Sequence, residues 1–242
     1  MTLLLHLLLG HMVGDYVLQP LQLVVMKKRG WRGILAHVAL VVAVTTILLW
    51  TVLDHWWYWL WMLFLAVSHI VIDGSRAFLL TYSERRGLLY LAIDQALHVS
   101  VLAVIASVTQ ASLARYAAIP ALTDSLQWDR LIAYMIGLIF LFWTVPIVER
   151  ETMVALLTGE ERIAIAASDR WLGALERVGG VALMLVGLKY LVPFAFVPRV
   201  LLQRAEWHDS PLQMRFFAKT AISFSSAILA GILLAKVPLP FF

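Results

Sequence analysis

Three histidine–carboxylate pairs stand out along the chain: His11 with Asp15, His69 with Asp73, and Asp94 with His98. Each is spaced i, i+4, which on a helix stacks both side chains on one face about one turn apart. An imidazole and a carboxylate so placed can ligate one metal ion, or one can orient the other. Gln19 carries the first stripe on by a further turn, Gln95 adjoins Asp94, and His37 stands alone in its own apolar segment. His11, Asp15, His37, His69, Asp73, Asp94 and His98 are therefore the candidate metal ligands. Asp15 and Asp94 are the candidate general bases, and the spacing does not choose between them. Gln19, Arg76 and Gln95 are candidate substrate contacts. Arg76 extends the His69–Asp73 face, where it would either hold a phosphate or carboxylate headgroup or snorkel to the boundary. Mixed imidazole and carboxylate ligands suit zinc, manganese or iron. Seven candidates suffice for one or two ions, each with a position open to water. The chain has no Cys, which excludes thiolate zinc and iron–sulfur centres. HExxH, P-loop and GxSxG motifs are absent. Ser68 precedes His69, but no oxyanion hole can be located for a serine hydrolase.

The elements that must position these residues are membrane helices. Of 242 residues 62% are apolar and 14% charged, against roughly 45–50% and 25% in soluble domains. A soluble globular protein, a disordered chain and a disulfide scaffold are all excluded. A net charge of +4, with its Lys and Arg scattered among apolar runs, argues against a nucleic-acid binder. Crossing the hydrocarbon takes roughly 20 apolar residues. The expected fold is thus all-α and polytopic, with about seven transmembrane segments (six to eight): 1–18, 33–53, 56–80, 88–109, 131–148, 171–192 and 216–239. The first is read as a mature helix, since it lacks a basic leader and a small-residue cleavage site. Residues 1–110 form a four-helix half that carries the polar set and six of the seven His. Residues 111–242 form a half of about three helices.

Loop 20–32 holds Lys27, Lys28, Arg29 and Arg32 and no acid, so it is expected to be cytoplasmic. Counting residues from that boundary puts all seven candidate ligands in a slab roughly 5–17 Å deep. An unpaired ionisable residue in the membrane costs roughly 2.5–3.5 kcal/mol or more. Seven at one level should converge on a shared polar centre rather than act only as interhelical glue. Loop 198–215 falls outside by alternation yet carries Arg199, Arg204 and Arg215. Either the count is off or a hairpin replaces one crossing in the C-terminal half. Trp56, Trp57, Tyr58, Trp59 and Trp61 read as an interfacial aromatic belt, Glu176 and Arg177 as an interfacial pair at the start of the sixth helix, and Lys189 and Lys219 as snorkelling residues. His6 and His55 have no partner that the sequence identifies.

The polar set resembles that of a bacterial multi-pass membrane family, domain-of-unknown-function family 3307. The matching stretches are His11-Met12-Val13-Gly14-Asp15-Tyr16-Val17-Leu18-Gln19, Gly33-Ile34-Leu35-Ala36-His37, Ser68-His69-Ile70-Val71-Ile72-Asp73 and Asp94-Gln95-Ala96-Leu97-His98. Beyond residue 100 only Gly173-Ala174-Leu175-Glu176-Arg177 looks similar. The resemblance implies a bacterial inner-membrane protein and brings no activity with it. More loosely, the arrangement is similar to that of membrane-embedded metal-dependent hydrolases, a chemical analogy. Three functions follow as expectations. The first is a metal-dependent hydrolase acting on a lipid or amphiphilic substrate at the cytoplasmic leaflet, with His69, Asp73, Asp94 and His98 as its core. The second is a proton or divalent-cation transporter using the same cluster. The third is a non-catalytic membrane subunit of a larger complex. The lipid bilayer is the one partner implied; no protein partner is identified.

Overall fold

In a computed structural model the described residues are 2–50, 56–115, 126–156, 167–208 and 210–237, and among them every regular element is helical. His55, the turn at Pro120 and the turn at 159–162 lie outside the described residues. Five helices are long and apolar enough to cross a membrane: Trp31–Leu48, Trp56–Tyr82, Glu84–Thr109, Trp128–Leu156 and Leu212–Leu234. This is the architecture of a polytopic membrane protein. The chain divides into two compact units, one of residues 1–83 and 89–136, the other of 84–88 and 137–240.

The first unit is built from α1 (Thr2–Met12), α2 (Leu21–Arg29), α3 (Trp31–Leu48), α4 (Trp56–Tyr82) and α5 (Gly87–Arg115). α1 runs on into a π turn, Val13–Val17, closed by the Leu18 amide donating to the Val13 carbonyl at 2.9 Å. Pro20 has no N–H to continue the ladder, and the helix ends there. Two close approaches hold this unit together. A Cβ on Gly14 would lie 2.8 Å from Val41 Cα, so only glycine lets the π turn press against α3. A Cβ on Gly33 would run into the main chain of Met26 and Lys27, so the α2–α3 corner, turned at Gly30 with φ 147°, closes only on glycine. Gly33→Ala is accordingly expected to lower stability by about 1–3 kcal/mol. Thermal unfolding in detergent reads this out, and an unchanged midpoint would show that the corner has slack.

The aromatic run at the start of α4 is split by its helical phase. Trp56 and Trp59 are exposed, as a belt requires, whereas Tyr58 is buried with Met62 and Leu65 against Leu3, Leu7, Leu102 and Ile105. One face of the run is thus core.

The second unit contains the end of α6 (Leu126–Ile139), a π turn at Phe140–Thr144, α7 (Val145–Leu156) and α8 (Ala167–Leu185). A 3₁₀ segment (Lys189–Phe196), α9 (Val197–Leu202), α10 (Arg204–His208) and α11 (Ser210–Leu234) follow. Three expectations are corrected here. The sixth segment does not run as one helix over 171–192. α8 stops at Leu185, the chain reverses at Gly187 (φ 83°), and the 3₁₀ segment doubles back until Val192 and Ala195 face Gly180 and Gly179. The reason is local: Gly187 permits the turn and Pro193 cannot extend an α-helix. Residues 198–215, expected as a loop, are mostly helical, forming α9, α10 and the start of α11. Finally, Glu176, Arg177 and Lys219 are buried, not interfacial or snorkelling, because each finds a charged partner inside the unit.

Candidate functional site

Four helical segments of the first unit bring the expected residues together. Asp15 sits within the π turn, whose wider ring shifts it relative to a regular helix, and it reaches three imidazoles. His37 Nε2 lies 3.1 Å and His69 Nε2 3.3 Å from its Oδ1, and His11 Nε2 lies 3.4 Å from its Oδ2. π turns of this kind recur at functional sites. His37 and His69 approach each other at 3.2 Å between Nε2 atoms. Asp73 Oδ2 is 3.5 Å from the first and 3.6 Å from the second. His37 Nε2, His69 Nε2 and Asp73 Oδ2 thus form a compact set of donors separated by 3.2–3.6 Å, with Asp15 Oδ1 3.1–3.3 Å from both imidazoles.

Hydrogen bonding alone satisfies this set poorly. Two imidazole nitrogens face one another and the same carboxylate oxygen, and each nitrogen carries at most one proton. A metal ion satisfies it well. Ligands about 2.0–2.2 Å from a tetrahedral ion stand about 3.3–3.6 Å apart, near the separations observed. The Gln19 amide nitrogen Nε2 is 3.2 Å from His37 Nδ1. Ligation through His37 Nε2 requires this amide turned over, so that its oxygen accepts from Nδ1–H.

A second group adjoins the first. His98 donates from Nδ1 to the Asp94 carbonyl at 2.9 Å, so its Nε2 carries a lone pair, and that buried atom has no hydrogen-bond partner. The His98 ring lies 4.3 Å from that of His69 and 4.7 Å from that of His11. Asp94 Oδ2 accepts from Gln95 Nε2 at 2.9 Å, and Tyr16 donates to Gln95 Oε1 at 2.8 Å. Gln19 and Gln95, expected as substrate contacts, lie within hydrogen-bond distance of His37 and Asp94. Arg76 is half-buried, and its Nε makes no hydrogen bond.

The centre is closed on one side. Leu7, Val41, Leu65 and Leu102 each stand four residues from His11, His37, His69 and His98, and all four are at most 1% exposed. This apolar layer lies one turn beyond the imidazoles on every helix. The most accessible charged group at the centre is on the opposite side: Lys27 of α2, whose ammonium pairs with Asp73 Oδ2 at 2.7 Å. Sequence reasoning used Lys27 only to orient the loop. The available signal was weak: its loop holds no acid for it to pair with.

The second unit holds a buried network that sequence reasoning also missed. Arg177 donates to Glu149 at 3.1 Å and to Ser223 at 2.9 Å. Arg199 donates from Nε to Glu176 at 2.8 Å and from Nη2 to Ser223 at 3.2 Å, and Ser223 donates to Glu149 at 2.6 Å. Arg177 Nε also takes the Leu141 carbonyl at 2.9 Å. The second π turn explains this bond. Val145 donates five residues back to Phe140, so Leu141 would be next, but Pro146 has no N–H to offer it.

No curated protein and no solved structure matches the chain. One family model does, over residues 3–124, half of the 242 residues and every member of the His/Asp centre. The chain belongs to that family, described as protein of unknown function (DUF3307).

Proposed function

We propose that the chain is a membrane-embedded metal-dependent hydrolase acting on a lipid or amphiphilic substrate. One observation carries this reading: His37 Nε2, His69 Nε2 and Asp73 Oδ2, from two helices, lie 3.2–3.6 Å from one another, the separations of three ligands on a tetrahedral ion whose fourth position is left to water, and Asp15 Oδ1 stands 3.1–3.3 Å from both imidazoles. The ion is zinc, manganese or iron(II), all of which accept imidazole with carboxylate. His11, His98 and the second oxygen of Asp15 would serve a second ion. These residues would hold the ion, which when bound would supply water activation and polarisation of the scissile carbonyl or phosphoryl oxygen. Asp15 spends both oxygens on imidazoles, so Asp94, whose Oδ1 makes no hydrogen bond, is the general base.

The setting is the bacterial inner membrane with loop 20–32 cytoplasmic, so the open side of the centre faces the inner leaflet. The seven-segment count adds α1 with its π turn, and α8, to the five long apolar helices. A proton or cation carrier would need polar groups continuing past the imidazoles, where Leu7, Val41, Leu65 and Leu102 stand instead.

Elemental mass spectrometry of the detergent-purified protein tests the reading. One or two equivalents of a transition metal are expected, followed by metal-dependent cleavage when lipid esters, amides and phosphates are screened. A folded protein that holds no metal, even after loading with zinc, manganese or iron, would sink it.

A further inference from the structure

The charge balance of the centre points beyond the metal to the kind of substrate. With His37 and His69 neutral, as ligands must be, Asp15 and Asp73 contribute two negative charges and Lys27 one positive. The set is short by one positive charge without an ion and carries one in excess with a divalent ion. Arg76 and Asp94, the next charged groups on α4 and α5, cancel. In a medium of low dielectric an uncompensated charge is costly, so the centre loaded with one ion and a neutral water favours an anionic ligand.

Lys27 is where that charge would arrive. Its side chain is 23% exposed, against 10% for Asp15, 6% for Asp73 and none for the two imidazoles. A ligand approaching from the open side therefore meets the ammonium first. Its element also exposes aliphatic side chains: Leu18, Leu21, Val25 and Met26 are exposed on α2 and on the turn that leads into it, together with Gln22 and Arg29. A cation flanked by exposed aliphatic side chains at a membrane boundary matches a ligand with an anionic head and an acyl tail.

We infer that Lys27 is the substrate-anchoring residue, and that the substrate is an amphiphile with a monoanionic phosphate or carboxylate headgroup. This rests on the proposed metal reading. When the ion is bound, Asp73 turns its charge to the metal, and the Lys27 ammonium is released to the headgroup. Without the ion, Asp73 holds Lys27 and the site repels anions.

The test uses the whole protein in neutral detergent, loaded with zinc or stripped with chelator, and titrated with dodecyl phosphate, inorganic phosphate or a neutral dodecyl glycoside. Metal content is measured on every sample. Dodecyl phosphate is expected to bind only the loaded protein, and Lys27→Met is expected to weaken it about ten- to a hundredfold, the share of a charge-assisted hydrogen bond. Lys27→Arg should restore most of the affinity. Lys27→Met should also hold its metal at least as tightly as the native chain, because a neighbouring cation has been removed; a merely structural role for Lys27 predicts weaker metal binding instead. Inorganic phosphate binding as tightly as dodecyl phosphate would overturn the amphiphile and leave a soluble anion. Equal binding of dodecyl phosphate by the native and Lys27→Met proteins, both metal-loaded, would overturn the inference while sparing the metal reading. Absence of metal from the native protein would overturn both.

Discussion

Replacing His37 and His69 together by alanine is expected to strip the chain of its ion. The two imidazoles supply two of the three donors of the compact set, and His69 also packs against the rings of His11 and His98. Loss of a partner outside the ligand set typically weakens metal binding 10–100-fold, so loss of two ligands should exceed about a hundredfold. The purified variant should then contain less than a tenth of the native metal after dialysis. Asp94→Asn is the informative contrast. Asp94 lies outside the compact set and is proposed as the base, so this variant should retain its metal and lose turnover, by about 10²–10⁴-fold. The two variants together separate binding from chemistry. Native metal content in His37→Ala/His69→Ala would refute the assignment of the donors. Metal lost in Asp94→Asn would move Asp94 from base to ligand.

Glu149→Ala should have the largest effect on stability, about 3–5 kcal/mol. Glu149 is the acceptor of both Arg177 and Ser223, and Arg177 is fully buried. Removing the carboxylate strands a guanidinium in the interior, whereas replacing the whole pair by apolar groups would not. Arg177→Met in the Glu149→Ala background is therefore expected to recover much of the loss. The recovery will be partial, because Arg177 also satisfies the Leu141 carbonyl freed by the π turn and Pro146. Thermal unfolding in detergent reads both variants. A Glu149→Ala protein that melts with the native one would show that the network contributes nothing to the fold.

Helical class, the apolar segments and the identity of the metal-ligand candidates were legible in the sequence. Alternating apolar runs of membrane length report on solvation by lipid, which acts residue by residue, and an i, i+4 spacing fixes a shared helical face whatever the helix packs against. His11–Asp15 and His69–Asp73 came out as facing pairs for that reason, within 3.4 Å and 3.6 Å of each other. Which pair belonged with which was not legible. Asp73 and His69 were expected to form a core with Asp94 and His98. The tertiary structure sets His37 against His69 and Asp73, with Asp15 beside both imidazoles, because the π turn at Val13–Val17 and the contact of Gly14 with Val41 press α1 onto α3.

Lys27 was hidden for the same reason. A basic residue in what reads as a short loop looks alike whether it meets water, lipid or a carboxylate; the structure makes this segment the helix α2, and the Gly33 corner that turns it back brings Lys27 to Asp73. In the second unit, Glu149, Glu176, Arg177, Arg199 and Ser223 come from four separate helices, and no local period relates them. The sequence by itself determined the helical class, the long apolar segments and the supply of chemical groups, since each depends on neighbours along the chain. The tertiary structure alone decided which charges meet, because buried pairing is a matter of distances of about 3 Å set by helix packing across tens of residues.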